Sequence, residues 1–136
     1  MATAQIFNSL KEALPEKVHN LGSDTLKFAL TNTAPVLSNT VFTDIAEIAA
    51  GSGYTAGGAA VAVTSSAQTG GTYSLVLADC TFTASGGAIG PFRYAVLYND
   101  TATNKDLIGF VDYGVNYTLP DTQPFTLTAG TFFTLA

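Results

Sequence analysis

The sequence has few charged side chains and few of the side chains that bind metals. Only 11% of its 136 residues are charged, whereas ordinary soluble domains have about 25%. It has one cysteine and one histidine, which excludes an internal disulfide and argues against a structural zinc site. Five basic against ten acidic residues provide no positive surface for phosphates, so we expect no nucleic-acid partner.

Long apolar runs are also missing. The first twelve residues lack the basic end and the apolar segment of a signal peptide. The longest uncharged stretch, residues 48–78, is interrupted by Gly, Ser, Thr and Gln and could not cross a bilayer as one helix. We therefore expect synthesis in the cytoplasm and no membrane partner. With 47% hydrophobic residues the chain is too apolar to be disordered, and its length suits one domain.

The beginning of the chain has helical periodicity. Apolar residues recur at spacings of three and four, namely Ile6, Phe7, Leu10 and Leu14. This spacing predicts a short amphipathic helix that starts at Thr3 and ends near Leu14, because Pro15 disfavours helical angles in the residue before it. So short a helix is marginal alone and must dock on something. We interpret residues 1–22 as an N-terminal arm, whose four apolar residues anchor it to its own domain or to a neighbour.

The rest of the chain, residues 23–136, has the period of β-strands. We count about seven to nine short strands, separated by turn residues and enriched in Thr, Val, Phe and Tyr. No helical segment lies between them, so the predicted class is all-β, with a β-sandwich or jelly-roll-like domain. The clearest strands cover residues 92–98 and 107–113, and a hairpin is predicted for residues 59–64 and 73–78. Residues 41–48 fit either a strand or a short helical turn.

No set of catalytic or metal-binding residues is evident. The paired acids, Asp44 with Glu47 and Asp100 with Asp106, are not next to a histidine, and we interpret them as solvated side chains. Residues 100–106 space oxygen atoms like the start of a calcium loop but lack its acidic third position and central glycine. We therefore expect a protein that is not an enzyme and has no cofactor or metal.

Three further features are interpreted structurally. His19 has no nucleophile or orienting acid near it in the sequence, so we expect it to be exposed or to lie at a hinge. Cys80 lies in an apolar strand and should be buried and unreactive. The glycine-rich residues 51–58 match no phosphate-binding motif and predict a tight loop.

The only arginine lies in the most apolar predicted strand. If this strand pairs with the next one through the polar turn at residues 99–106, Arg93 and Asp112 can form an ion pair across them. We favour a pair that locks the two strands together. A contact between subunits is the alternative, because arginine suits bidentate pairing at interfaces.

Three sequence blocks together resemble small virion structural proteins of tailed bacteriophages. The blocks are residues 51–58 (GSGYTAGG), 93–100 (RYAVLYND) and 107–114 (LIGFVDYG). The resemblance extends over about residues 25–135 and implies a capsid decoration (cement) protein with a jelly-roll or related β fold. Such a protein is made in the host cytoplasm, binds the major capsid protein on the outer capsid surface and bridges neighbouring subunits. We expect it to act as a homo-oligomer, a dimer or a trimer.

Two other functions remain open at this stage. One is a phage tail or head-fibre component, although the repeats or heptads common in long fibres are missing. The other is a carbohydrate-binding β-sandwich that would use aromatic rings as stacking surfaces. The candidate rings are Tyr54, Tyr94, Tyr98, Tyr113 and Tyr117.

Overall fold

A computed structural model of the protein describes residues 3–135, which form mainly β-strands. The elements are β1 (Thr3–Ile6), α1 (Leu10–Ala13), β2 (Leu26–Thr31), a 3-10 helix (Phe42–Asp44), β3 (Ala59–Val61), β4 (Val63–Thr69), β5 (Thr72–Leu77), β6 (Cys80–Thr83), β7 (Ile89–Asn99), β8 (Leu107–Leu119), β9 (Pro124–Leu127) and β10 (Gly130–Leu135). The predicted all-β class is confirmed. The described residues contain ten strands, more than the sequence predicted, and the open choice at residues 41–48 resolves to a helical turn.

The strands form three antiparallel sheets. The main sheet has the order β1-β8-β7-β2-β3, the second has the order β10-β5-β4, and β6 pairs with β9. The two strands with the clearest sequence signal, β7 and β8, lie at the centre of the main sheet. The predicted hairpin of residues 59–64 with 73–78 is only partly correct: residues 59–61 form β3 and pair with β2, and the hairpin that is present joins β4 to β5. The residues between them, Gly70 and Gly71, have φ of 59° and 90°, as a type I′ turn requires.

Two apolar clusters lie on opposite faces of the main sheet. Successive side chains of a strand point to opposite faces, and successive residues of β7 from Tyr94 to Tyr98 alternate between the two clusters. The larger cluster joins all three sheets, with members such as Phe28, Leu75, Phe82, Leu97 and Phe132. The smaller cluster includes Phe7, Tyr94, Val96, Tyr98, Leu107 and Phe110. Burial on both faces explains why β7 is buried without interruption from Tyr94 to Asn99.

The N-terminal segment differs from the predicted helix. Residues Thr3–Ile6 are a strand that pairs with β8, and only Leu10–Ala13 are helical. Gly109 permits this pairing, since a Cβ atom there would lie 2.5 Å from the Gln5 carbonyl oxygen. Phe7 is fully buried, with its ring centroid 5.3 Å from that of Phe110. From Thr3 onward, the expected arm over residues 1–22 is therefore part of the domain; Met1 and Ala2 lie outside the described residues.

The glycine-rich loop is a structural part of the main sheet. The pairing of β3 with β2 ends at Phe28 of β2. Further along β2, the Leu30 N–H donates a 3.0 Å hydrogen bond to the Tyr54 hydroxyl. The same hydroxyl donates to Glu47 Oε2 at 2.6 Å, and the Gly57 N–H donates to that oxygen as well. Burial and the Glu47 carboxylate raise the pKa of Tyr54. Gly58, with φ of 83°, has no room for a side chain because a Cβ atom would collide with the Phe28 carbonyl.

The burial of Phe7 makes the N-terminal segment necessary for folding. We expect Phe7→Ala to lower the free energy of unfolding by about 3–5 kcal/mol, since it leaves a cavity in the core. Urea unfolding followed by circular dichroism measures this. Glu16→Ala, at an exposed position of the same segment, should change stability by less than about 0.5 kcal/mol. Equal effects of the two substitutions would contradict the core position of Phe7.

The Tyr54 hydroxyl can be tested without changing the shape of the ring. Tyr54→Phe removes the acceptor of the Leu30 N–H and one donor to Glu47, so we expect a loss of about 1–3 kcal/mol. The matched control is Tyr117→Phe, because the Tyr117 side chain is exposed. Denaturant unfolding of both variants compares the losses, and a similar small loss in both would show that the buried hydrogen bonds contribute little.

Candidate interaction surface

The four predicted anchor residues divide into two pairs. Phe7 and Leu10 are completely buried within the domain, so neither can grip a neighbouring subunit in this structure. Ile6 and Leu14 are only half-buried. Of the four residues, only Ile6 and Leu14 therefore present apolar surface to the solvent.

An apolar hollow lies beside these two residues. Its volume is about 300 Å³, and its walls include Ile6, Leu14, Pro15 and Leu135; we call it the N-terminal hollow. Leu135, at the end of β10, is 39% exposed. A wider groove of about 640 Å³ shares Leu14 and Leu135 with the hollow. Ile6 and Leu14 are two of the predicted anchors, but the sequence did not predict that Leu135, from the opposite end of the sequence, lies beside them.

A second apolar surface is formed by the distal half of β8. Val115 is 55% exposed and Tyr117 is 41% exposed. Tyr117 belongs to an aromatic cluster with Tyr113 and Phe125, in which ring centroids are 5.3–6.0 Å apart. These side chains share no residue with the N-terminal hollow, so the two surfaces are separate. Val36 and Leu37, which are 57% and 40% exposed, belong to neither of them.

Most of the tyrosines considered for stacking against a sugar are inaccessible. Three of the five tyrosines proposed for this role, Tyr54, Tyr94 and Tyr98, are buried. Tyr98 donates a hydrogen bond to the Gly57 carbonyl at 2.5 Å, and burial raises its pKa to about 12. These three rings cannot stack against a sugar, because they face the core or close the loop over the main sheet. Of the five candidates of that alternative, Tyr113 is half-buried and Tyr117 is exposed.

Arg93 and Asp112 form the ion pair that the sequence suggested. Arg93 Nε donates to Asp112 Oδ1 at 2.9 Å, and Arg93 Nη2 donates to Asp112 Oδ2 at 3.3 Å. The pair joins β7 to β8 next to a register shift between Phe92 and Tyr94. Hydrogen bonding to Arg93, and then to the Gly114 N–H, lowers the pKa of Asp112. About a third of each side chain is exposed, so the ion pair contributes little to the free energy of unfolding. It indicates how β7 and β8 are aligned more than it stabilises the fold.

Ion pairs between side chains stabilise the turn between β7 and β8. Asp100 Oδ1 lies 2.6 Å from Lys105 Nζ, and Asp100 Oδ2 lies 3.4 Å from Lys27 Nζ. Hydrogen bonds to Lys105 and Lys27 lower the pKa of Asp100. Within residues 3–135, no group of three or more His, Cys, Asp and Glu side chains is placed to hold a metal ion.

His19 is buried, contrary to the expected exposed or hinge position. It is 7% exposed, and its Nδ1 lies 2.9 Å from Asn99 Nδ2. The side-chain oxygen Oδ1 of Asn99 accepts from the N–H groups of Thr101 and Ala102, so the side-chain nitrogen Nδ2 faces His19 and donates to it. With Nδ1 accepting, neutral His19 has its proton on Nε2, which is buried and has no hydrogen-bond partner among the described residues. The sequence missed this role because Asn99 lies far along the chain.

Cys80 is buried as predicted. It is 3% exposed, and burial raises the pKa of its thiol. A thiol with a raised pKa holds little of the nucleophilic thiolate at neutral pH. The residue behaves here as a small apolar side chain of the core.

Comparison with protein-family models, with curated proteins and with solved structures finds no match for this chain. Among the described helices, none has the length and apolar character needed to cross a membrane.

The burial of His19 predicts a pH-dependent stability. Burial lowers the pKa of His19 below 6.5, although the nearby Asp106 and Asp24 carboxylates oppose this. As the pH falls below about 6.5, the unfolded chain therefore takes up a proton before the folded chain does, and stability decreases. Above that pH, both states hold neutral histidine and the contribution is constant.

The measurement is the free energy of unfolding of the wild type and of His19→Gln between about pH 7.5 and about pH 5. Other groups titrate in both proteins, so the difference between the two curves isolates His19. We expect the wild type to lose stability relative to the variant as the pH falls. A difference that stays constant with pH would contradict the buried neutral histidine.

Proposed function

We propose that this protein is a non-catalytic decoration protein of a tailed-phage capsid, located on the virion surface. In this role it binds the major capsid protein on the outer face of the shell and bridges neighbouring subunits. It acts as a homo-oligomer. The three sequence blocks that resemble phage virion proteins support the proposal.

The observation that carries the proposal is the presence of two separate apolar surfaces on one small domain. The N-terminal hollow presents Ile6, Leu14 and Leu135, and the distal half of β8 presents Val115 and Tyr117. A bridging protein needs a contact surface for each of two subunits. Exposed apolar side chains that cluster, instead of being scattered singly, are typical of protein contact sites.

The mode of attachment follows from the folded N-terminal segment. Because Phe7 and Leu10 are core residues, gripping a neighbour with a detached arm would require the domain to give up part of its core. Attachment through the two preformed surfaces requires no such rearrangement. Burial of apolar area contributes about 25 cal/mol per Å² before the costs of association, and simultaneous contacts around a symmetric shell increase the effective affinity.

The test is binding of the purified protein to expanded phage shells that lack decoration. We expect saturable binding and a higher melting temperature of the shell. Leu135→Glu should weaken binding by at least about tenfold, because it places a charge at the edge of the apolar hollow. Thr103→Glu adds the same charge at an exposed position of the β7–β8 turn and should bind like the wild type.

Two results would contradict the proposal. One is the absence of saturable binding by the folded wild-type protein, and the other is equal binding by the wild type and Leu135→Glu. The number of copies in each virion separates decoration from a tail or fibre part, since a decoration protein is present in many copies around the shell.

A further inference from the structure

β4 is an edge strand that is accessible on three sides. It is the last strand in the sheet order β10-β5-β4, and among residues 3–135 its strand partner is β5. Five of its seven residues are exposed and two are half-buried, so apart from Val63, which packs against the larger apolar cluster, little of β4 is covered by another layer. Its outer main-chain N–H and C=O groups are therefore available for pairing with another strand.

Apart from one irregularity near its start, this edge lacks the devices that usually prevent pairing between molecules. Natural edge strands carry charged residues, proline or a covering segment that blocks an incoming strand. β4 has the sequence VTSSAQT and lies within 31 consecutive uncharged residues, 48–78. One irregularity, between Val63 and Ser65, confines regular geometry to residues 65–69.

The hairpin geometry determines which groups point outward. Thr69 and Thr72 close the two-residue type I′ turn as a hydrogen-bonded pair. Opposed residues of an antiparallel pair then alternate between bonded and non-bonded pairs. Gln68 and Ser66 are consequently the residues whose N–H and C=O groups face away from β5, while those of Ala67 face β5.

We propose that two copies of this protein pair through β4 in an antiparallel, two-fold symmetric arrangement centred on Ala67. In this register Ala67 faces Ala67 of the second copy. Ser66 faces Gln68 of the second copy, and Gln68 faces Ser66. Every outward N–H at these positions meets a C=O, and the three-stranded sheet becomes a continuous six-stranded sheet.

A second copy suits this edge for two reasons. The register is self-complementary, and the small Ala67 side chains permit the close approach of a non-bonded pair, in which Cα atoms are about 4.5 Å apart. The chain has a net charge of -5, and two copies repel each other least when they approach through their uncharged segments. The six-stranded dimer is a specific form of the homo-oligomer in the proposed function. It rests on the proposed function only for the expectation that the protein is an oligomer.

Cross-linking tests the register directly. Ala67→Cys places two thiols opposite each other across the two-fold axis, within the Cα separation of about 4.4–6.8 Å that a disulfide needs. We expect mild oxidation to give a covalent dimer. Thr103→Cys, at an exposed position outside β4, should stay monomeric under the same conditions, and the native Cys80 is buried.

Main-chain pairing is tested by Gln68→Pro and its control Gln68→Ala. Both remove the side-chain hydrogen bond from the Gly71 N–H to Gln68 Oε1, but only proline removes the outward N–H. Sedimentation velocity over a concentration series, up to about 1 mM, should show a wild-type dimer. The dissociation constant should rise by at least about tenfold for Gln68→Pro and by less than about threefold for Gln68→Ala. Circular dichroism verifies that both variants are folded.

A wild-type protein that stays monomeric over the whole series overturns the proposal. A dimer that Gln68→Pro does not weaken, or equal cross-linking by the two cysteine variants, also overturns it. These measurements use the purified chain alone, whereas the proposed function is tested on shells, so either proposal can fail while the other stands.

Discussion

The antiparallel pairing of β7 with β8 is the interaction on which the rest of the structure depends. Both strands carry apolar side chains on both faces, and each face is the base of a separate apolar cluster. β2 and β1 pair with the outer sides of this hairpin, and the other two sheets contribute to the larger cluster. The Arg93–Asp112 pair lies where the ladder is irregular, so the charged side chains accompany a departure from regular register.

Buried polar groups attach the long loops to this framework. Tyr54 continues the edge of β2 where β3 ends, and it binds Glu47 from the preceding loop. His19 and Asn99 join the segment after α1 to the end of β7. Unsatisfied polar groups are costly inside a protein, so these contacts specify one arrangement of the loops.

The N-terminal segment shows how far sequence periodicity can be trusted. Its apolar spacing fits a helix, yet Thr3–Ile6 form a strand because the exposed edge of β8 supplies hydrogen-bond partners over four residues. Gly109 makes this close approach possible. Because Gly109 lies in β8, the sequence of the N-terminal segment gives no indication of it. The N-terminal hollow was equally hidden, since Ile6 and Leu135 come from opposite ends of the chain.

The sequence by itself determined the all-β class, the central hairpin with its polar turn, the ion pair across it and the buried Cys80. These features follow from alternation, turn chemistry and residue type, which act over a few neighbouring positions. Only the tertiary structure decided that Phe7 is core, that His19 is buried and neutral, and that β4 is an open edge. Burial and strand neighbours are set by contacts between distant segments, whose partners a local pattern does not identify.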